Sequence, residues 1–122
     1  RIDHGNNCLT DDKLVDEIIK RDMALTVCPL SNLELKVVTD LKDHPLKTML
    51  NKGIKATVNS DDPAYFGGYL NQNFIAIQEA LDLSNDDLVV LAKNSFQYSL
   101  LDESRKDELL RLVDDYALNN LI

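Results

Sequence analysis

The sequence predicts an α/β chain with parallel strands: the C-terminal portion of a (β/α)8 TIM barrel, comprising its last three βα units and the trailing helices. Two observations predict this. Short apolar runs of strand type alternate with amphipathic stretches in the order strand, helix, strand, helix, strand, and such βα repeats imply parallel strands covered by helices. Everything after the third run reads as helix, so the sheet stops at three strands, too few to close a barrel, and an edge is left open. A small doubly wound domain is the alternative that the same order allows.

Each element follows from local chemistry. Ile2 to His4 read as the end of a strand, broken by Gly5 and Asn6-Asn7. Thr10 is placed to cap a helix whose first turn carries Asp11 and Asp12. Leu14, Val15, Ile18 and Ile19 recur on one face of that helix, with Asp16, Glu17, Lys20 and Arg21 opposite. Ala24 to Cys28 is a compact apolar strand stopped by Pro29. Leu30 to Val38 is ambiguous: Leu33, Leu35 and Val37 alternate as in a strand, yet a loop lining a cleft fits equally. Pro45 suits the first turn of a short helix through Leu46, Met49 and Leu50, and Gly53 suits its end. Lys55 to Asn59 is the third strand. Leu70, Phe74, Ile77 and Leu81 mark a further helix. Ser84 caps the next, with Asp87 three residues on and Leu88, Leu91 and Ala92 inside. Asp102 or Ser104 opens the last helix, with Leu109, Leu112, Val113 and Tyr116 expected to face inward.

Composition narrows the function. The 122 residues suffice for one ordinary domain with a core. A formal net charge of -8 argues against a nucleic-acid groove, which needs a basic footprint. No apolar stretch approaches the length of a membrane span. Cys8 and Cys28 lie far apart and form no metal or redox motif, so a reducing, cytoplasmic setting is expected. The chain opens Arg1-Ile2-Asp3-His4-Gly5, already at a strand end, which reads as a segment of a longer protein; a trimmed chain complete in itself is the alternative.

In parallel architectures ligands bind at the carboxyl ends of the strands. Three polar clusters fall there: Asp3-His4-Gly5, Cys28-Pro29-Leu30-Ser31-Asn32, and Asn59-Ser60-Asp61-Asp62-Pro63. Two adjacent unneutralised carboxylates repel, and a divalent metal on one relieves this. A turn closed by Asp61 or Asp62 before Pro63 is the competing reading. His4 is a base, ligand or hydrogen-bond donor by its chemistry, or a histidine packed under a loop. His44, beside Pro45, reads as a surface or capping residue. Cys28 reads as core, and Cys8 is too isolated to serve as a nucleophile. Ser31 and Asn32 read as pocket-rim residues. The segment Tyr65 to Tyr69 reads either as a pocket lining or as core packing around a tight turn. Zinc catalysis needs about three protein ligands and an open position. Two histidines in the whole chain, one of them well placed, cannot supply that set.

The stretches "RIDHG", "LTVCPLSNLEL" and "VNSDDPAYFGGY", in this order and with these gaps, resemble the C-terminal part of the adenosine and adenine deaminase family, most closely the adenine deaminase branch. The resemblance covers essentially the whole chain and implies that residues 1–122 are the C-terminal part of a single deaminase barrel domain, with the rest of the barrel as partner. It implies hydrolytic deamination of a small-molecule purine, adenine to hypoxanthine and ammonia, by a water activated on one zinc or other divalent ion. Adenosine as substrate, or a non-catalytic interaction domain, are the alternatives. By resemblance Asp61 is the carboxylate metal ligand, Asp62 bonds the N7 edge of the purine, and His4 deprotonates or positions the water. The family's other metal histidines and its ring-protonating glutamate are absent, so this chain by itself is expected to be inactive.

Overall fold

The computed structural model describes residues 1–121. Three parallel strands, β1 (Ile2–Asp3), β2 (Ala24–Val27) and β3 (Lys55–Val58), form one sheet in the order β1-β2-β3. The register pairs Asp3 with Thr26 and Thr26 with Thr57, and Leu25 with Ala56. Paired residues of parallel strands share a face. One face therefore carries Leu25, Val27, Ala56 and Val58, all at most 2% exposed. The other carries Asp3, Thr26 and Thr57, and Thr26 Oγ1 donates to Asp3 Oδ1 at 2.9 Å.

The helices pack on the apolar face. The first, α1 (Asp12–Lys20), inserts Val15 and Ile18; α3 (Leu46–Asn51) adds Leu46 and Met49; α5 (Leu70–Leu81) and α6 (Asn85–Gln97) add Ile77 and Leu91. Each such side chain, taken from water, contributes about 1.5–3 kcal/mol. Helix α6 also donates the Asn94 side-chain amide to the Ala56 carbonyl of β3 at 2.9 Å. Between these elements lie α2 (Pro29–Glu34), which leads off from the end of β2, and α4 (Pro63–Phe66), which leads off from the end of β3. The chain ends in α7 (Glu103–Asn120).

Several boundaries differ from the sequence expectation. Thr10 does not cap α1: it closes the preceding 3₁₀ turn (Asn6–Thr10) by donating to the Asn7 carbonyl, and Asp11 caps instead, accepting from the Lys13 and Leu14 amides. The ambiguous stretch after Pro29 is a short helix, not a strand. Its end folds back because the Asn32 carbonyl accepts from both Val37 and Val38, leaving Leu35 57% and Val37 49% exposed. In α7, Leu112 and Tyr116 are 55% and 65% exposed rather than inward; no residue of this helix is fully buried. The Ser84–Asp87 capping box forms as expected.

His44 is not a surface residue: it is 4% exposed. It does cap, its Nδ1 accepting from the Leu46 amide at 3.2 Å. Burial lowers its ring from 6.5 to about 4. An unfolded chain takes the proton near pH 6.5 and the folded one resists it, so the stability tied to neutral His44 is complete above pH 6.5 and is lost as pH falls toward 4. A His44→Gln protein, which cannot titrate there, is expected to lose melting temperature less steeply than wild type across that interval; equal slopes in thermal unfolding at stepped pH would refute this.

Candidate functional site

The site is built where the three strands end. His4 directly follows β1, and its amide donates to the Thr26 carbonyl at 3.0 Å, which carries the sheet pairing one residue past the strand. Its φ of 60° and that of Gly5 at 80° turn the chain sharply out of the sheet. Gly5 admits no side chain: a Cβ would lie 2.9 Å from Leu25 Cδ2, in a backbone conformation that L residues rarely adopt. At the end of β3, Asp61 is also left-handed, with φ 55°. Asp62 returns to extended backbone with φ -102° and ψ 95°. That change of conformation between neighbours sends the two carboxylates in different directions.

Asp61 turns toward His4. Its Oδ2 lies 3.9 Å from His4 Nε2, with the aspartate side chain 28% and the histidine side chain 47% exposed. Ser31, fully buried in the first turn of α2, donates its hydroxyl to the same Oδ2 at 2.7 Å. Cys28 completes the cluster: ligand atoms of His4, Cys28 and Asp61 lie within 4.8 Å of one another. Burial, with the Asp61 charge adding to it, pushes the Cys28 thiol up to about 11. At neutral pH it is a protonated neighbour, not a thiolate. Asp62 is not part of that cluster and caps α4, its Oδ1 accepting from the Tyr65 amide at 3.2 Å. The turn reading and the site reading thus divide between the two residues: Asp62 holds a helix start, and Asp61 joins the histidine.

A divalent cation fits the pair. Among the described residues Asp61 Oδ1 and both His4 ring nitrogens accept no hydrogen bond, and neither Asp61 nor Asp62 pairs with a lysine or arginine. A cleft of about 500 Å³ opens onto them, lined by residues including His4, Cys28, Asn59, Asp61 and Leu70. Two of the three anticipated residues therefore converge, and Asp62 lies beside them on the next turn.

Ser31 is more than a rim residue, and Cys28 is more than core, since both touch Asp61. The signal for Ser31 was present in the sequence: a hydroxyl two residues beyond a strand-stopping proline falls in the first turn of whatever helix that proline opens. A buried network of Asn6, Asn32 and His44 was not anticipated. Its members sit 26 and 12 residues apart, and no local pattern joins them.

Parallel strands under helices, with a histidine and an aspartate converging at their carboxyl ends, form part of a (β/α)8 barrel. The family model described as adenosine deaminase matches residues 1–116, and the chain belongs to that family. It is 60% identical over 117 residues to an adenine deaminase of Sphingopyxis alaskensis, covering 96% of this chain and 34% of that protein. Among solved structures it superposes on adenine deaminase from Arthrobacter aurescens with a TM-score of 0.94 at 44% identity, covering 97% of this chain and 36% of the other. A zinc-bound amidohydrolase from Burkholderia ambifaria shares the fold, with a TM-score of 0.83 at 21% identity, over 98% of this chain and 35% of that one. The chain thus spans about a third of the length of the relatives it matches.

Ser31→Ala removes a hydroxyl-to-carboxylate hydrogen bond at a buried donor, an interaction worth about 1.5 kcal/mol or somewhat more when the acceptor is charged. The expected outcome is a fall in unfolding free energy of roughly that size, read from the midpoint of urea unfolding; an unshifted midpoint would show that the bond adds nothing.

Proposed function

We propose that the protein to which these residues belong hydrolyses adenine to hypoxanthine and ammonia, and that residues 1–122 are the C-terminal part of its single barrel domain. The observation that carries this is the approach of His4 to Asp61, 3.9 Å apart at the ends of the first and third strands. Relatives named adenine deaminase at 50–60% identity support the choice of substrate.

In this reading water adds at C6 of the purine and the 6-amino group leaves as ammonia. Asp61, held by Ser31 through Oδ2, would hold the metal at the end of β3. A bound divalent cation, zinc for preference, would supply the lowered water pKa that makes hydroxide accessible near neutrality. His4 takes or holds the proton of the attacking water at its ring nitrogen, and its charged form balances the negative charge that builds as water adds. Asp62 meets the N7 edge of the base with Oδ2, because Oδ1 already accepts from Tyr65. The remaining metal histidines and the glutamate that protonates the ring lie outside these residues, so the chain alone is inactive.

The site takes a small purine rather than a nucleic acid, consistent with the acidic net charge of -8. No helix among the described residues is long and apolar enough to cross a membrane. Cys8 and Cys28 are free, which supports a cytoplasmic setting.

In the whole enzyme, Asp61→Ala should abolish turnover together with metal occupancy, so full metal content by elemental analysis in that variant would remove Asp61 from the ligand set. Asp62→Ala should keep the metal and raise KM for adenine by roughly tenfold or more, the loss of about one charged hydrogen bond; an unchanged KM would take Asp62 out of substrate recognition. Rates on adenine should exceed those on adenosine, and the reverse order would move the protein to the nucleoside-specific branch.

A further inference from the structure

Behind the His4 loop lies a buried polar chain whose direction is set at one end. The Leu46 amide donates to His44 Nδ1 at 3.2 Å, so Nδ1 carries no proton. The ring is neutral, because burial holds it well below its ordinary range, and its proton is therefore on Nε2. Nε2 lies 3.0 Å from Asn32 Oδ1 and donates to it. Asn6 Nδ2 donates to the same oxygen at 2.8 Å. Asn32 Oδ1 thus accepts two bonds; turning either amide over alone would set donor against donor or acceptor against acceptor between Asn6 and Asn32, and the 3.5 Å approach of Asn6 Nδ2 to the protonated His44 Nε2 is a contact without a hydrogen bond.

Asn6 Oδ1 is buried and has no hydrogen-bond partner among the described residues, so the Asn6 side chain is held through its Nδ2. Asn6 follows His4 and Gly5, whose φ angles of 60° and 80° are both left-handed. The left-handed φ of His4 is strained for a side-chain-bearing residue and persists where neighbouring contacts hold it. Asn32 adjoins Ser31 on α2, so one short helix grips the site from two sides. Ser31 holds Asp61 at 2.7 Å, and Asn32 holds the His4 loop through Asn6 at 2.8 Å.

We propose that Asn32 and Asn6 are positioning residues for His4, with neutral His44 fixing their orientation, so that the separation of His4 and Asp61 is set from α2. This rests on the deaminase reading for its kinetic test, and it makes a spectroscopic prediction that does not. The protein to use is the full-length, zinc-loaded enzyme. Asn6→Asp keeps the shape and replaces the donating nitrogen by an oxygen facing Asn32 Oδ1. Asn32→Leu removes the acceptor, and Asn32→Asp keeps it.

The first two variants should lower kcat on adenine by roughly 10- to 100-fold, the scale of an ångström's misplacement, with KM within about twofold (uniform binding being untouched) and metal content unchanged. Asn32→Asp should recover most of kcat. Unchanged kcat per bound metal in Asn6→Asp and Asn32→Leu would overturn the proposal, and so would an Asn32→Asp enzyme as impaired as Asn32→Leu. Imidazole ¹⁵N–¹H spectra give the independent readout. Wild type should show His44 as the Nε2–H tautomer, and Asn6→Asp should shift the His4 ring signals; His44 protonated on Nδ1, or His4 signals that stay in place, would also overturn it. A wild-type enzyme inactive on adenine that nonetheless shows both spectral features would sink the deaminase reading and leave the positioning network standing.

Discussion

The register of three short parallel strands is the constraint on which the rest depends. Asp3 pairs with Thr26 and Thr26 with Thr57, so the strands finish at nearly one level and deliver three loops to one rim. A slip of one residue in β3 would exchange Ala56 and Val58 for Thr57 and Asn59 on the helix-covered face. It would also carry Asp61 away from His4. Burial of Leu25, Val27, Ala56 and Val58, none more than 2% exposed, forbids that slip. The apolar face thereby fixes the geometry of the polar rim without touching it.

At that rim the backbone departs from ordinary conformations. His4 and Asp61 both have φ between 55° and 60°, a region that costs non-glycine residues of order 1 kcal/mol each. Each is held by neighbours on β2 or α2. His4 is tied by its amide to the Thr26 carbonyl, and Asp61 by its carboxylate to the Ser31 hydroxyl. The middle strand and the helix that leads off from it are therefore the reference frame for both flanking loops. The same left-handed step explains how adjacent aspartates meet different partners. It rotates Asp61 toward the histidine and leaves Asp62 in the extended conformation of a helix cap.

The sequence revealed what depends on local pattern and missed what depends on distant pairing. Strand–helix alternation, the proline that stops β2, the Ser84–Asp87 box and the strand-end placement of His4 and Asp61 are all local, and all are present. The Leu33, Leu35, Val37 alternation misled because one carbonyl, that of Asn32, captured two amides and bent the chain back. The last helix was misjudged for a different reason. Its apolar residues fit a helical period, but period says only that a face is apolar, and here Leu112 and Tyr116 on it are exposed. His44 caps, as one reading had it, but its burial was missed because a histidine beside proline carries no mark of burial. Only the fold shows that Asn32, 12 residues before it, accepts from His44 and that Asn6 joins through Asn32.

What surrounds Asp61 decides what it is for. Its near neighbours are a hydroxyl, a protonated thiol and a half-exposed imidazole, and no lysine or arginine pairs with it among the described residues. Here the shell orients the charge without cancelling it, and the adjacent Asp62 adds a second negative group rather than a positive one. A carboxylate oriented by a neutral donor, beside an imidazole at the open end of a parallel sheet, is the chemistry the proposed cation would need. The strain at His4 and Asp61 then has a use: it brings a nitrogen and an oxygen to face one another at 3.9 Å, and the packing of the helix layer holds them there.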